Sequence, residues 1–119
     1  MRIPSSARVV VLVAVALALL GPAVGFGQDK PAEPSRLAVV WSSADPDVAK
    51  SVCFMYTHNA RKQKWFDEVT LIVWGPSARL LASDKDLQAA VKAMQADGVK
   101  VQACQACADM YGVTAPLRK

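Results

Sequence analysis

Cys104 and Cys107 are the residues of this 119-residue chain whose type and spacing point most directly to chemistry. A deprotonated thiol is a nucleophile, and two thiols one helical turn apart can also close to a disulfide and reopen. The surrounding pattern says where they stand. Val99, Val101 and Ala103 alternate with Lys100 and Gln102, the period-2 signature of a strand with one side more buried than the other. At Cys104 the period changes. Cys104, Cys107, Met110 and Tyr111 fall at i, i+3, i+6 and i+7, and Gly112 supplies a stop. The stretch therefore predicts a strand feeding directly into a short helix, with a thiol at the junction. In an open parallel sheet, ligands and chemistry gather at the carboxyl ends of the strands. The positive end of a helix dipole also favours a thiolate. Cys104 is the expected working residue, with Cys107 beside it.

Other side chains carry less. A structural zinc site built on Cys-x-x-Cys needs two further ligands, and the single histidine, His58, falls in a distant predicted helix, so no metal is expected. His58 as a base for Cys104 is a weaker reading than a solvent-facing histidine in the polar segment Thr57-His58-Asn59. Cys53, in the same helix, reads as a small buried hydrophobe. Asp109 reads as a surface residue. Paired carboxylates, a glycine-rich phosphate loop and a Ser/His/Asp set are missing, and Gly75-Pro76-Ser77 reads as a backbone turn. No cofactor is called for.

The elements that must position the thiols follow from the same periodicities. Leu37 to Trp41 is a continuous apolar run suited to a central strand covered on both faces. Asp45-Pro46 marks a helix start, with Asp45 as cap and Pro46 at the first helical position. Val48, Val52, Met55 and Tyr56 share one face of that helix, which should run to about Arg61. Trp65 and Phe66 fall in a loop. Glu68 to Trp74 is a second strand, ended by Gly75-Pro76-Ser77. Ala78 to Ala82 predicts a short helical turn. Ser83 with Asp86 suggests a capping box, and Leu87, Ala90, Val91 and Met94 form a helical stripe ending at Gly98. Strand, helix, strand, helix, strand, helix argues a parallel sheet with right-handed crossovers. Ser42-Ser43, Gly75-Pro76-Ser77 and Cys104-Gln105 should then meet at one rim.

The first residues have a different character. Arg2 and Arg8 precede an unbroken apolar run from Val9 to Leu20, Gly21-Pro22 breaks it, and small residues follow to Gly27. Residues 1–27 are read as a secretory signal peptide cleaved near Gly27, or after Gly25 with Ala23 upstream, against the competing reading of an uncleaved anchor. Residues 28–36 are read as a flexible leader, and residues 37–119 as one domain. The apolar run is short for a bilayer anchor, so no membrane association is expected after cleavage. Loss of Arg2 and Arg8 leaves twelve basic against ten acidic residues, which removes the support for nucleic-acid binding. A periplasmic or secreted location places the three cysteines in an oxidising compartment, and one of them must stay unpaired within the chain. The remaining domain of about ninety residues is small for a self-sufficient α/β core, which favours oligomerisation.

Cys104-Gln-Ala-Cys107-Ala-Asp-Met-Tyr-Gly112, preceded by Gly98-Val-Lys-Val, resembles the DsrE/DsrF-like family of small sulfur-handling proteins. Tyr56-Thr-His-Asn-Ala60, Trp65 to Ser77 and Leu80-Leu-Ala82 resemble its first crossover and second strand. The similarity spans roughly Leu37 to Val113, and its most specific part is a cysteine eight residues before a glycine, here Cys104 and Gly112. The resemblance implies a three-layer α/β sandwich of flavodoxin-like topology with a short parallel sheet, assembled as trimers or hexamers. It implies a sulfur carrier in which Cys104 accepts sulfur as a persulfide from a donor protein and passes it to an acceptor. Cys107 matches a cysteine present in some members. Members usually continue past the glycine into at least one more strand, whereas this sequence stops at Lys119, so either the sheet is C-terminally shortened or the sequence is a truncated product. The best understood members work in the cytoplasm. Two other classes compete: a binding or assembly module that keeps the fold without the relay, and a dithiol redox protein using both cysteines.

Overall fold

Three short parallel strands carry the β-branched and apolar runs of the chain in this computed structural model, which describes residues 32–118. They are β1 (Arg36–Trp41), β2 (Glu68–Val73) and β3 (Lys100–Ala103), in the order β1-β2-β3. The first crossover is a continuous helical segment α1, built from Pro46–Val48, Ala49–Phe54 and Met55–Lys62. The second is a helix pair, α2 (Pro76–Ser83) and α3 (Lys85–Ala96). Two short helices follow β3, α4 (Gln105–Met110) and α5 (Thr114–Leu117). The chain is a mixed α/β protein with a parallel sheet, as the alternation of periods predicts. The expected signal peptide lies outside the described residues, as do residues 28–31 of the expected leader. Its last residues are tied to the domain: Ser35 donates to the Asp67 carboxylate from both its amide and its hydroxyl (2.7 and 2.8 Å), and Arg36 opens β1.

Register decides which residues share a side of the sheet. Leu37, Val39 and Trp41 pair with Val69, Leu71 and Val73, and Val101 and Ala103 continue those rows on β3. Val69, Leu71, Val73 and Trp41 are fully buried there beneath Ala49, Phe54, Leu87, Val91 and Met94 from α1 and α3. The opposite side carries Ala38, Val40, Thr70, Ile72 and Gln102. Among the described residues nothing covers it, and Val40 and the following Trp74 are 57% and 55% exposed. The described residues therefore build two layers.

Three local expectations need correction. β1 is an edge strand, paired only with β2 among the described residues, and one face of the Leu37–Trp41 run is exposed. The order β1-β2-β3 puts β2 at the centre, where the expected flavodoxin-like topology would put β1. The α1 stripe of Val48, Val52, Met55 and Tyr56 is continuous, but it points outward, with Met55 57% exposed. Ala49, Cys53, Phe54, Thr57 and Ala60 face the core instead. The Ala49–Phe54 stretch is a π-helix, yet Ala49, Cys53, Thr57 and Ala60 keep helical spacing through it, so the buried face lies one residue round from the expected one. Small side chains on the inner face let α1 approach the sheet closely, and the buried Thr57 hydroxyl is satisfied by the Cys53 carbonyl (2.6 Å). Finally, Asp84 caps α3, its carboxylate accepting from the amides of Asp86 and Leu87 (2.9 and 3.0 Å), while Ser83 ends α2.

Candidate functional site

The parallel register brings the ends of the three strands to one rim. Trp74 N–H donates to the Trp41 carbonyl and Cys104 N–H to the Val73 carbonyl, both at 3.0 Å, so the ladder continues to the first residue past β2 and β3. Gly75 follows immediately in a conformation (φ 62°, ψ −136°) that residues with a Cβ rarely adopt. It reverses the chain into α2, where Pro76 is the first helical residue. Ser77, fully buried, fixes this turn. Its hydroxyl donates toward the Trp41 and Trp74 carbonyls (2.6 and 2.9 Å) and accepts from the Trp74 amide (3.1 Å). One side chain thus locks the carboxyl ends of β1 and β2 together.

Cys104 stands where sequence periodicity puts it. It is the N-cap of α4, with extended backbone (φ −68°, ψ 112°), and its Sγ accepts from the Cys107 amide at 3.3 Å. Its α4 helix is anchored at the far end by a side-chain network in which Gln105 Nε2 and Thr114 Oγ1 both donate to the Asp109 carboxylate (2.7 and 2.5 Å). Asp109 is therefore an exposed tie between α4 and α5 rather than a catalytic acid. Tyr111, one residue past α4, packs at the edge of the core with the Arg79 guanidinium 5.3 Å from its ring centre.

The second cysteine completes the geometry. Cys107 is buried one turn into α4, and its Sγ lies 2.7 Å from the Cys104 Sγ, oriented to donate to it. The same Cys107 Sγ accepts from the Gly75 amide at 3.2 Å. A chain of contacts runs from the Gly75 turn through Cys107 to Cys104. The two thiols are driven apart in acidity as a result. The Cys107 thiol and the first-turn amides of α4 hold the Cys104 thiol below its ordinary range. Cys107 is pushed up, chiefly because it serves as the donor in that pair. The arrangement is an accessible sulfur that favours the thiolate, backed by a buried protonated one. Such a pair can attack an electrophilic sulfur or close to a disulfide.

The remaining sequence candidates lie elsewhere. His58 bonds the Asp97 carboxylate at 2.5 Å, just before β3 begins, whereas Cys104 lies just after it ends. The four residues of β3 separate them by about 13 Å of strand, so His58 is not a base for Cys104. Cys53 is buried on the inner face of α1, and burial pushes its thiol up. Ser42 and Ser43 follow β1 on the same rim, but β2 stands between them and the thiols. No group of three or more metal-ligating side chains occurs among the described residues. Gly75 and Ser77 were legible only as a turn: glycine and serine after a strand suggest a bend, and nothing in their types reveals that the Gly75 amide reaches a cysteine 32 residues later.

No protein-family model matches the chain, and no curated protein does. Among solved structures, a conserved protein of unknown function from Bacteroides thetaiotaomicron matches at 27% identity with a TM-score of 0.68, over 71% of this chain and 72% of that one. The chain is thus similar in fold, over most of its described length, to a protein whose function is not assigned.

Proposed function

We propose that this protein is a sulfur carrier of the DsrE/DsrF-like type, with Cys104 as the acceptor thiol. One observation carries the reading: Cys104 is an accessible N-cap thiol at the carboxyl rim of a parallel sheet, with its acidity raised by Cys107 and by helix amides. The Cys104 thiolate attacks the outer sulfur of a donor persulfide. The donor S–S bond breaks, a new S–S bond forms on Cys104, and the donor leaves as its thiolate. No net oxidation is needed, so no redox cofactor is required. Transfer onward is the same step in reverse, with an acceptor thiolate attacking the outer sulfur on Cys104. Cys107 assists by donating its proton toward the Cys104 sulfur. In this reading the protein acts outside the cytoplasm after cleavage near Gly27. The two described layers are the core of a three-layer sandwich completed by assembly into trimers or hexamers. The uncovered side of the sheet and the outward apolar stripe of α1 supply surface for that assembly.

The 2.7 Å Sγ–Sγ approach also favours a second reading, a dithiol that cycles to the Cys104–Cys107 disulfide. Intact-protein mass separates the two. Reduced protein incubated with a low-molecular-weight persulfide should gain the mass of one sulfur atom. Loss of two hydrogens on mild oxidation, with no sulfur gain, would instead identify the redox protein. No change under either treatment would mark a binding module without thiol chemistry.

A further inference from the structure

The outer edge of β3 opens into a groove of about 460 Å³ between α3 and α5. Its floor is apolar, with Val91, Val101 and Leu117 among the lining side chains, and its charged lining residues are Lys85, Lys92 and Arg118, with no carboxylate among them. β3 pairs only with β2, so the main-chain groups on its groove side have no strand partner among the described residues. An open strand edge beside an apolar trough is the geometry that accepts an added strand. The three cations decide which strand.

We propose that the β3 edge is a docking site for an extended acidic segment of a partner protein, which adds to the sheet as a fourth strand. This is a separate claim from the chemistry at Cys104 and does not rest on it. The occupant follows from the lining. On the helix side of the sheet, beside Val101 and Ala103, alternate residues of an added strand face α3 and α5. Lys85 and Lys92 are two helical turns apart, about 10.5 Å along α3. Helix-facing acidic residues four apart in an extended segment span about 13 Å, within reach of flexible lysine side chains, and leave one residue between them over the apolar floor. The recognised pattern is therefore acidic-x-apolar-x-acidic.

Its test is an NMR titration of the ¹⁵N-labelled protein with end-blocked Glu-Thr-Val-Thr-Glu. The expected result is saturable shifts of the amides of residues 100–103. Binding should be weaker for Gln-Thr-Val-Thr-Gln, and it should be lost when every peptide backbone nitrogen is methylated. The double variant Lys85→Glu/Lys92→Glu should weaken binding by about tenfold, since each exposed pair supplies a few-fold, while Lys50→Glu on α1 leaves it unchanged. Circular dichroism confirms that both variants fold. Absence of shifts in residues 100–103, equal binding of the neutral or methylated peptide, or unchanged binding by the double variant would each overturn the proposal. So would a dimer formed through this edge in the absence of peptide, which would make a second copy the occupant.

Discussion

Cys104 and Cys107 differ by one helical turn, yet the structure gives them opposite character. Cys104 receives hydrogen bonds and Cys107 supplies one, so the first should ionise below the ordinary thiol range and the second above it. The rate of iodoacetamide labelling, followed against pH by peptide mass, should therefore rise first at Cys104, then at Cys107, with the buried Cys53 slowest. Removing the donor tests the cause. Cys107→Ala should shift the labelling profile of Cys104 upward in pH, whereas Cys107→Ser, which keeps an O–H at that position, should shift it less. Profiles unchanged from the wild type in both variants would mean that the α4 amides alone set the acidity. This placement of Cys104 was readable because two periodicities meet at one residue, a purely local signal. The Gly75 amide and the Ser77 hydroxyl were not, because their partners are 32 and 36 residues away and become neighbours only through strand pairing.

At the scale of elements, the turn from β2 to α2 is the part of the scaffold most closely tied to the site. A Cβ at Gly75 would meet no atom within 4 Å, so Gly75→Ala tests backbone conformation and not crowding. The strained φ should cost about 1–3 kcal/mol, measured by urea denaturation, and should displace the amide from Cys107 so that Cys107 labels faster. Unchanged stability together with unchanged labelling would show that the turn does not position the thiol. Gly98 makes the contrasting case. Its positive φ coincides with the Arg61 guanidinium 2.8 Å from where a Cβ would sit, so crowding and strain act together there. The helices themselves illustrate what pattern can and cannot tell. Helicity over α1 was legible from Asp45-Pro46 and the apolar spacing. Its inner face was not, since the core takes the neighbouring line of mostly smaller side chains, Ala49, Cys53, Thr57 and Ala60, which carries a weaker apolar signal than Val48, Val52, Met55 and Tyr56. Strand existence was likewise legible at all three positions. The exposed second face of β1 was not, because an apolar run looks the same whether that face meets a helix, another molecule or solvent, and strand order depends on pairing between distant segments.

Over the whole molecule, charge and exposed apolar surface make separate demands. Asp67, Glu68, Asp97 and Asp109 are all held below the ordinary carboxylate range by Ser35, Lys100, His58 and Thr114 respectively. Carboxylates depressed in the folded state contribute stability above their unfolded pKa and lose it as pH falls through the folded one. Thermal melts should thus be flat between about pH 5 and 8, below the thiol range, and fall progressively below pH 4, and Asp97→Asn should flatten part of that acid limb. Outward-facing Val52, Met55, Tyr56 and Trp65, with Tyr56 and Trp65 rings 5.9 Å apart, form an apolar band that a monomer leaves in water. Sedimentation should report a species larger than the monomer, and Met55→Lys should shift it toward the monomer. A monomeric wild type would contradict the assembly part of the proposed function. The central claim concerns one sulfur atom, and the most direct measurement locates it. Wild type, Cys104→Ser and Cys107→Ser proteins, each reduced and exposed to a low-molecular-weight persulfide, would be alkylated, digested and mapped by mass spectrometry. The account predicts an added sulfur on the peptide bearing Cys104 in the wild type and in Cys107→Ser, and none on any peptide of folded Cys104→Ser. Sulfur retained by Cys104→Ser, or found on Cys53 or Cys107 in the wild type, would contradict it.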